Sequence, residues 1–119
     1  MGAVTGELRN LVVSSATFRP GTTLRLSVQV YNPASVPLTG SLQLHALNSL
    51  DQLVADFTIH VADLPAGASL DIMRFWDTSG LPNGDYKILA YMNYESSASE
   101  PLTAWASTYR RVYLPLIQR

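Results

Sequence analysis

The run Thr23-Leu24-Arg25-Leu26-Ser27-Val28-Gln29-Val30-Tyr31 alternates apolar and polar residues without a slip. In an extended strand this period of two puts Leu24, Leu26, Val28 and Val30 on one face and Arg25, Ser27 and Gln29 on the other. The rhythm recurs along the chain, bounded each time by Pro, Gly, Asn or Asp, and it predicts seven strands. The first covers residues 8–18, with Leu11-Val12-Val13 as its apolar centre, and Arg19-Pro20-Gly21 turns it into the second, residues 22–31. Asn32-Pro33 ends that strand, because proline has no amide to give a ladder. The third is residues 38–47. In the fourth, Leu53, Ala55, Phe57, Ile59 and Val61 alternate.

The fifth strand, residues 69–76, is less regular. Leu70 and Ile72 point one way while Met73 and Phe75 point the other, and a bulge near Arg74 is expected to reconcile them by switching faces. Asn83-Gly84 is a turn dipeptide and opens the sixth strand, residues 86–94. The seventh starts at Leu102 and fades before Pro115. No long window repeats with the helical period. Seven short strands with frequent turn signals predict an all-β fold, an immunoglobulin-like antiparallel β-sandwich. The expected division is a flexible leader over residues 1–7, the sandwich over 8–114 and a tail over 115–119, as in a module excised from a longer protein.

Composition narrows the function. A chain of 119 residues is one domain, and without cysteine it has neither disulfides nor thiol chemistry. The net charge of −1 gives no electrostatic attraction to nucleic acid. Only 14% of residues are charged, and 12 Ser and 9 Thr supply much of the polar surface instead. Residues 26–50 are uncharged, but Asn32, Pro33, Pro37, Gln43 and His45 interrupt them, so membrane insertion as a helix is not expected. Met1-Gly2-Ala3-Val4-Thr5-Gly6 lacks the basic and apolar regions of a signal peptide.

Four landmarks carry a family resemblance. Leu11-Val12-Val13-Ser14 leads into Pro20-Gly21, and Val30-Tyr31-Asn32 closes the second strand. Leu64-Pro65-Ala66-Gly67-Ala68-Ser69 precedes a strand ending in Phe75-Trp76, and Gly84-Asp85-Tyr86-Lys87-Ile88-Leu89-Ala90 opens the sixth. This order resembles CARDB modules, the cell-adhesion-related immunoglobulin-like domains of bacterial and archaeal surface proteins, over about residues 8–110. One departure is Tyr91-Met92-Asn93-Tyr94, where the family often has an acidic residue. The resemblance implies a non-catalytic spacer or adhesion module of a bacterial secreted or cell-surface protein. Its partners would be neighbouring domains of the same polypeptide, or cell-surface protein or glycan. In such sandwiches a tyrosine in the position of Tyr86 bonds backbone across a corner through its hydroxyl. Val112-Tyr113-Leu114-Pro115-Leu116-Ile117 is similar to an ending of secreted multidomain bacterial proteins; the other reading is a final strand broken by Pro115.

Candidate chemistry is sparse. His45 and His60 fall on the polar faces of the third and fourth strands, where the hairpin sets His45 against Val54 or Asp56 and His60 against Thr39 or Ser41. They form neither a metal pair nor a serine triad, so no enzymatic activity and no cofactor are expected. Asp77, Ser79, Asn83 and Asp85 surround glycines between the fifth and sixth strands; they form a weak calcium candidate without regular ligand spacing, or a plain turn. A hairpin about residues 95–101 sets Trp105 opposite Tyr91 and Tyr109 opposite Lys87. Tyr91, Trp105 and Tyr109 then form an outer aromatic stripe able to stack on sugars or dock a neighbour; with faces reversed, Trp105 is core. The alternatives to a spacer are therefore a carbohydrate-binding module using that stripe, or a sandwich similar to bacterial proteinase inhibitors.

Overall fold

The computed structural model describes residues 6–94 and 98–108. Eight strands follow one another: β1 (Glu7–Val13), β2 (Thr17–Phe18), β3 (Thr23–Tyr31), β4 (Leu38–Leu47), β5 (Leu53–Leu64), β6 (Ser69–Asp77), β7 (Asp85–Asn93) and β8 (Leu102–Thr108). They form a three-stranded sheet, β1-β3-β6, and a five-stranded sheet, β2-β8-β7-β4-β5. The fold is an all-β, immunoglobulin-like sandwich. Successive residues of β3 and β7, and of β4 from Ser41 onward, alternate between buried and more accessible, as one-sided strands require.

The expected first strand is in fact two. β1 pairs antiparallel with β3, whereas β2 pairs parallel with β8 in the other sheet. Ser14 ends the first ladder: its amide donates to the Arg25 carbonyl and its Oγ accepts from the Arg25 amide, both at 2.9 Å. The Ala16 carbonyl then accepts from the Ser107 amide at 2.8 Å, starting the second ladder. β1 also opens at Glu7, which already pairs with Tyr31.

Irregularity lies in β1, not in β6. The β1–β3 register shifts between Arg9 and Val12, where Asn10 takes a left-handed φ of 57°, a conformation asparagine tolerates better than most residues. The extra residue lets both Leu8 and Leu11 pack on the core and leaves Val12 outside. β6, by contrast, pairs with β3 without interruption from Asp77 to Ser69. The bulge expected near Arg74 is absent because β6 is an edge strand. Arg74 keeps inner parity opposite Leu26, yet is exposed at the open flank, where its Nη1 donates to the Met73 carbonyl at 2.8 Å.

Two buried clusters fill the space between the sheets. At one pole Phe18 from β2, Trp76 from β6 and Tyr86 from β7 pack mutually, with ring centroids 5.8 to 6.0 Å apart and tilted or edge-on planes. Such pairs contribute about 0.5–1.5 kcal/mol each beyond area burial. The Tyr86 hydroxyl donates to the Pro82 carbonyl at 2.6 Å, and burial pushes its phenol above the ordinary value, so the donor stays protonated.

At the other pole Val30, Leu38, Leu64 and Met92 share a buried cluster, and Asn32 at the end of β3 is fully buried. Its Nδ2 donates to the Val36 and Leu64 carbonyls at 2.8 and 2.9 Å, and its Oδ1 accepts from the Ala34 amide at 3.0 Å. One amide side chain thus ties the end of β3 to the end of β5 in the opposite sheet.

Tyr86→Phe is expected to destabilise the domain by about 1–2 kcal/mol, because Pro82 loses its donor; the urea midpoint measures it. Asn32→Asp is expected to be far worse at neutral pH, on the order of 3 kcal/mol or more, since a carboxylate would face two carbonyl oxygens. Its folded pKa would be raised, so the penalty is complete above that pKa and shrinks as pH falls through it. Urea titrations of variant and parent should therefore converge on acidification.

Candidate functional site

The outer face of the five-stranded sheet carries the residues singled out in sequence. Cross-strand pairing sets Trp105, Lys87, Leu47 and Leu53 in one row, Thr103, Leu89, His45 and Asp56 in the next, and Tyr91, Gln43 and Thr58 in a third. Trp105 is an outer-face residue, 59% exposed. It stands opposite Lys87, not Tyr91, so the expected stripe is not assembled as drawn. Tyr109 lies outside the described residues.

The slip has a local cause. Residues 95–101 were expected to be turn throughout, yet Ala98 bridges back to Asn93. Ser99 also grips Met92, its amide donating to the Met92 carbonyl at 2.8 Å and its Oγ accepting from the Met92 amide at 2.9 Å. These bonds consume the end of β7, and β8 pairs farther toward Tyr86.

Tyr91 is half-buried against His45, edge-on at 85° with centroids 5.4 Å apart. The His45 Nε2 lies 3.2 Å from Asp56 Oδ1, while Lys87 Nζ reaches Asp51 Oδ1 at 3.3 Å. His60 stands opposite Ser41, well along the ladder from His45. Among the described residues the face therefore offers one well-exposed aromatic plane, Trp105, beside the His45–Asp56 contact and the Lys87–Asp51 ion pair.

The loop after β6 is held mainly by a residue that sequence reasoning passed over. Thr78 is fully buried; its Oγ1 donates to the Thr22 carbonyl at 2.6 Å and accepts from the Gly21 amide at 3.0 Å. Asp77 Oδ1 accepts from the Ser79 hydroxyl at 2.7 Å and amide at 2.9 Å, bonds that hold its carboxyl below the usual value. Asp85 instead accepts from the Ser107 hydroxyl at 2.8 Å, on β8, and Asn83 is exposed in the turn between them. Among the described residues no group of three or more His, Asp or Glu is placed to hold a metal ion.

The outer face of the three-stranded sheet holds a surface the sequence reading missed. Val12, Ser27 and Met73 form one row and Arg25 and Phe75 the next. Val12, Met73 and Phe75 are 52%, 47% and 60% exposed. A shallow groove runs among Asn10, Val12, Ser27, Gln29, Asp71 and Met73, rimmed by a Gln29 Nε2 to Asp71 Oδ1 bond of 3.0 Å. The signal was the odd parity of Met73 and Phe75, which the supposed bulge explained away.

No protein-family model and no curated relative matches the sequence. Solved structures do match in fold. The CARDB domain of a Pyrococcus furiosus protein, solved in complex with di-metal ions, superposes with a TM-score of 0.63 at 13% identity, covering 91% of this chain and 97% of that one. The two share a fold. A β-glucosidase from Erythrobacter marinus matches with a TM-score of 0.68 at 11% identity, over 89% of this chain but 16% of its own. The Pseudomonas fluorescens alkylpurine DNA glycosylase AlkC, bound to DNA containing an abasic-site analogue, matches with a TM-score of 0.69 at 18% identity, over 90% of this chain and 31% of its own. In both enzymes the matching region is under a third of the chain.

Trp105→Ala is expected to change the unfolding free energy by no more than about 0.5 kcal/mol, as for surface positions generally. Trp76→Ala, which opens the core, should cost about 3–5 kcal/mol. Paired unfolding curves of the two variants check the face assignment directly.

Proposed function

We propose that this domain is a non-catalytic module of a bacterial secreted or cell-surface multidomain protein, acting as a spacer or adhesion element. The observation that supports it is one of proportion: the fold that takes up nearly all of this chain takes up 16% and 31% of two much longer enzymes. A sandwich of this kind works by geometry. Its two packed sheets hold whatever joins either end at a fixed separation. The apolar positions on the three-stranded face, Val12, Met73 and Phe75, give a neighbouring domain something to bury. The polar chemistry supports the same reading, since His45 is engaged by Asp56 and Tyr91 on a flat face rather than aimed into a cleft.

An antibody raised against the domain should label intact cells or recover the protein from culture medium. Recovery from the cell interior alone would defeat the reading.

Trp105 favours a second reading, a carbohydrate-binding module, because an exposed indole on a flat sheet face matches the apolar face of a sugar ring. Electrophoresis through gels containing soluble β-glucan separates the two. A spacer migrates unretarded, whereas a glycan binder is retarded and Trp105→Ala abolishes the retardation.

A further inference from the structure

Among the described residues, no strand pairs with the sandwich along one flank. Its two edge strands are β5 of the five-stranded sheet and β6 of the three-stranded sheet. β5 is the longest strand, 12 residues, and contains no Pro, Gly, Lys or Arg, the residues with which natural sheets commonly blunt an edge. Its irregularities sit at its ends, with register shifts at Ala46/Leu47 and Leu38/Gly40 and a φ of 51° at Asp63. From Ala55 to Val61 it pairs with β4 without interruption, leaving a regular free edge on its other side.

The core behind that edge is incompletely covered. Phe57 and Ile59 have core-facing parity opposite Leu44 and Leu42, yet both are only half-buried. Across the gap Leu70 on β6 is 38% exposed, and Arg74 leaves the inner face for solvent.

We propose that a second copy of this chain covers the flank, its β5 pairing antiparallel with β5 about a two-fold axis through Thr58. In that register Phe57 stands opposite the partner's Ile59 on the inner face, and Ile59 opposite the partner's Phe57. On the outer face Asp56 stands opposite the partner's His60, and His60 opposite the partner's Asp56. Val54 meets the partner's Ala62, and Ala55 meets the partner's Val61. Every contact occurs twice, as an isologous interface requires, and cross-strand pairs of these kinds are favourable in antiparallel sheets.

The choice of register follows from the polar partners. An axis through Phe57 would set Asp56 against the partner's Thr58, and one through Ile59 would set it against the partner's Ala62. The Thr58 axis gives each Asp56 carboxylate, already 3.2 Å from His45 of its own chain, a second imidazole from the partner's His60. The assembly closes as a dimer, because the two-fold uses up the long edge of both copies; at the far side each keeps only two-residue β2 and the part of β8 that β2 does not cover.

The test uses the whole chain. Light scattering and sedimentation over a concentration series should give twice the 13.0 kDa chain mass. His60→Asp sets carboxylate against carboxylate at both symmetric positions and should weaken the dimer about tenfold or more, while its thermal melt reports that the fold is retained. Thr58→Cys, in a chain with no other cysteine, should form a disulfide-linked dimer on mild oxidation, far faster than Thr103→Cys on the exposed face of β8. Three results would each overturn the proposal: a single-chain mass throughout, a dimer that His60→Asp leaves intact, or Thr58→Cys linking no faster than Thr103→Cys.

Discussion

The contact on which the sandwich depends is Trp76 wedged between Phe18 and Tyr86. The three rings come from strands β2, β6 and β7, so they join the start, the middle and the later part of the chain across both sheets. An indole with two aromatic neighbours fixes the spacing of the sheets at that pole, and everything nearby takes its position from it. Pro82 is held because Tyr86 needs an acceptor, and Phe18 is reached only because the chain leaves β1 and crosses to β8. At the far pole Tyr94, which follows β7, packs on the core, and its hydroxyl accepts from the Gly6 amide beside β1 at 2.5 Å. Asn32 shares the task there, its amide replacing backbone partners that β3, β5 and the 33–37 loop would otherwise lack.

Central strands were legible in the sequence and edges were not. β3 and β7 each have neighbours on both sides and one face in the core, so every residue is forced to choose a side, and the alternation of Thr23 to Tyr31 or Tyr86 to Met92 records that choice. β6 has one neighbour. Arg74 can therefore occupy an inward position and still reach water, which breaks the apolar pattern without breaking the strand. The bulge in β1 was hidden for the opposite reason, since Leu11-Val12-Val13 is apolar throughout and carries no parity at all.

The candidate site suffered from the same blindness to backbone bonds. Tyr91 and Trp105 do face outward, as the parity of β7 implies, but their relative position depends on Ala98 and Ser99 bonding back to Asn93 and Met92. Nothing in a Ser- and Ala-rich turn announces such a bond. The fold itself tolerates wide variation in residue identity, as the match to the CARDB domain at 13% identity shows.

The parallel pairing of β2 with β8 has a mechanical meaning. β1 enters at the pole of Asn32, and β8 leaves at the pole of Trp76, so the two strands run out at opposite ends of the sandwich. Tension between Glu7 and Thr108 would draw β1 along β3, and β2 and β8 past each other, in the direction of the strands. Bonds loaded that way share the force and must fail together, whereas bonds at a peeled edge fail singly. A domain wired like this is stiff along the axis on which a tethered chain is pulled.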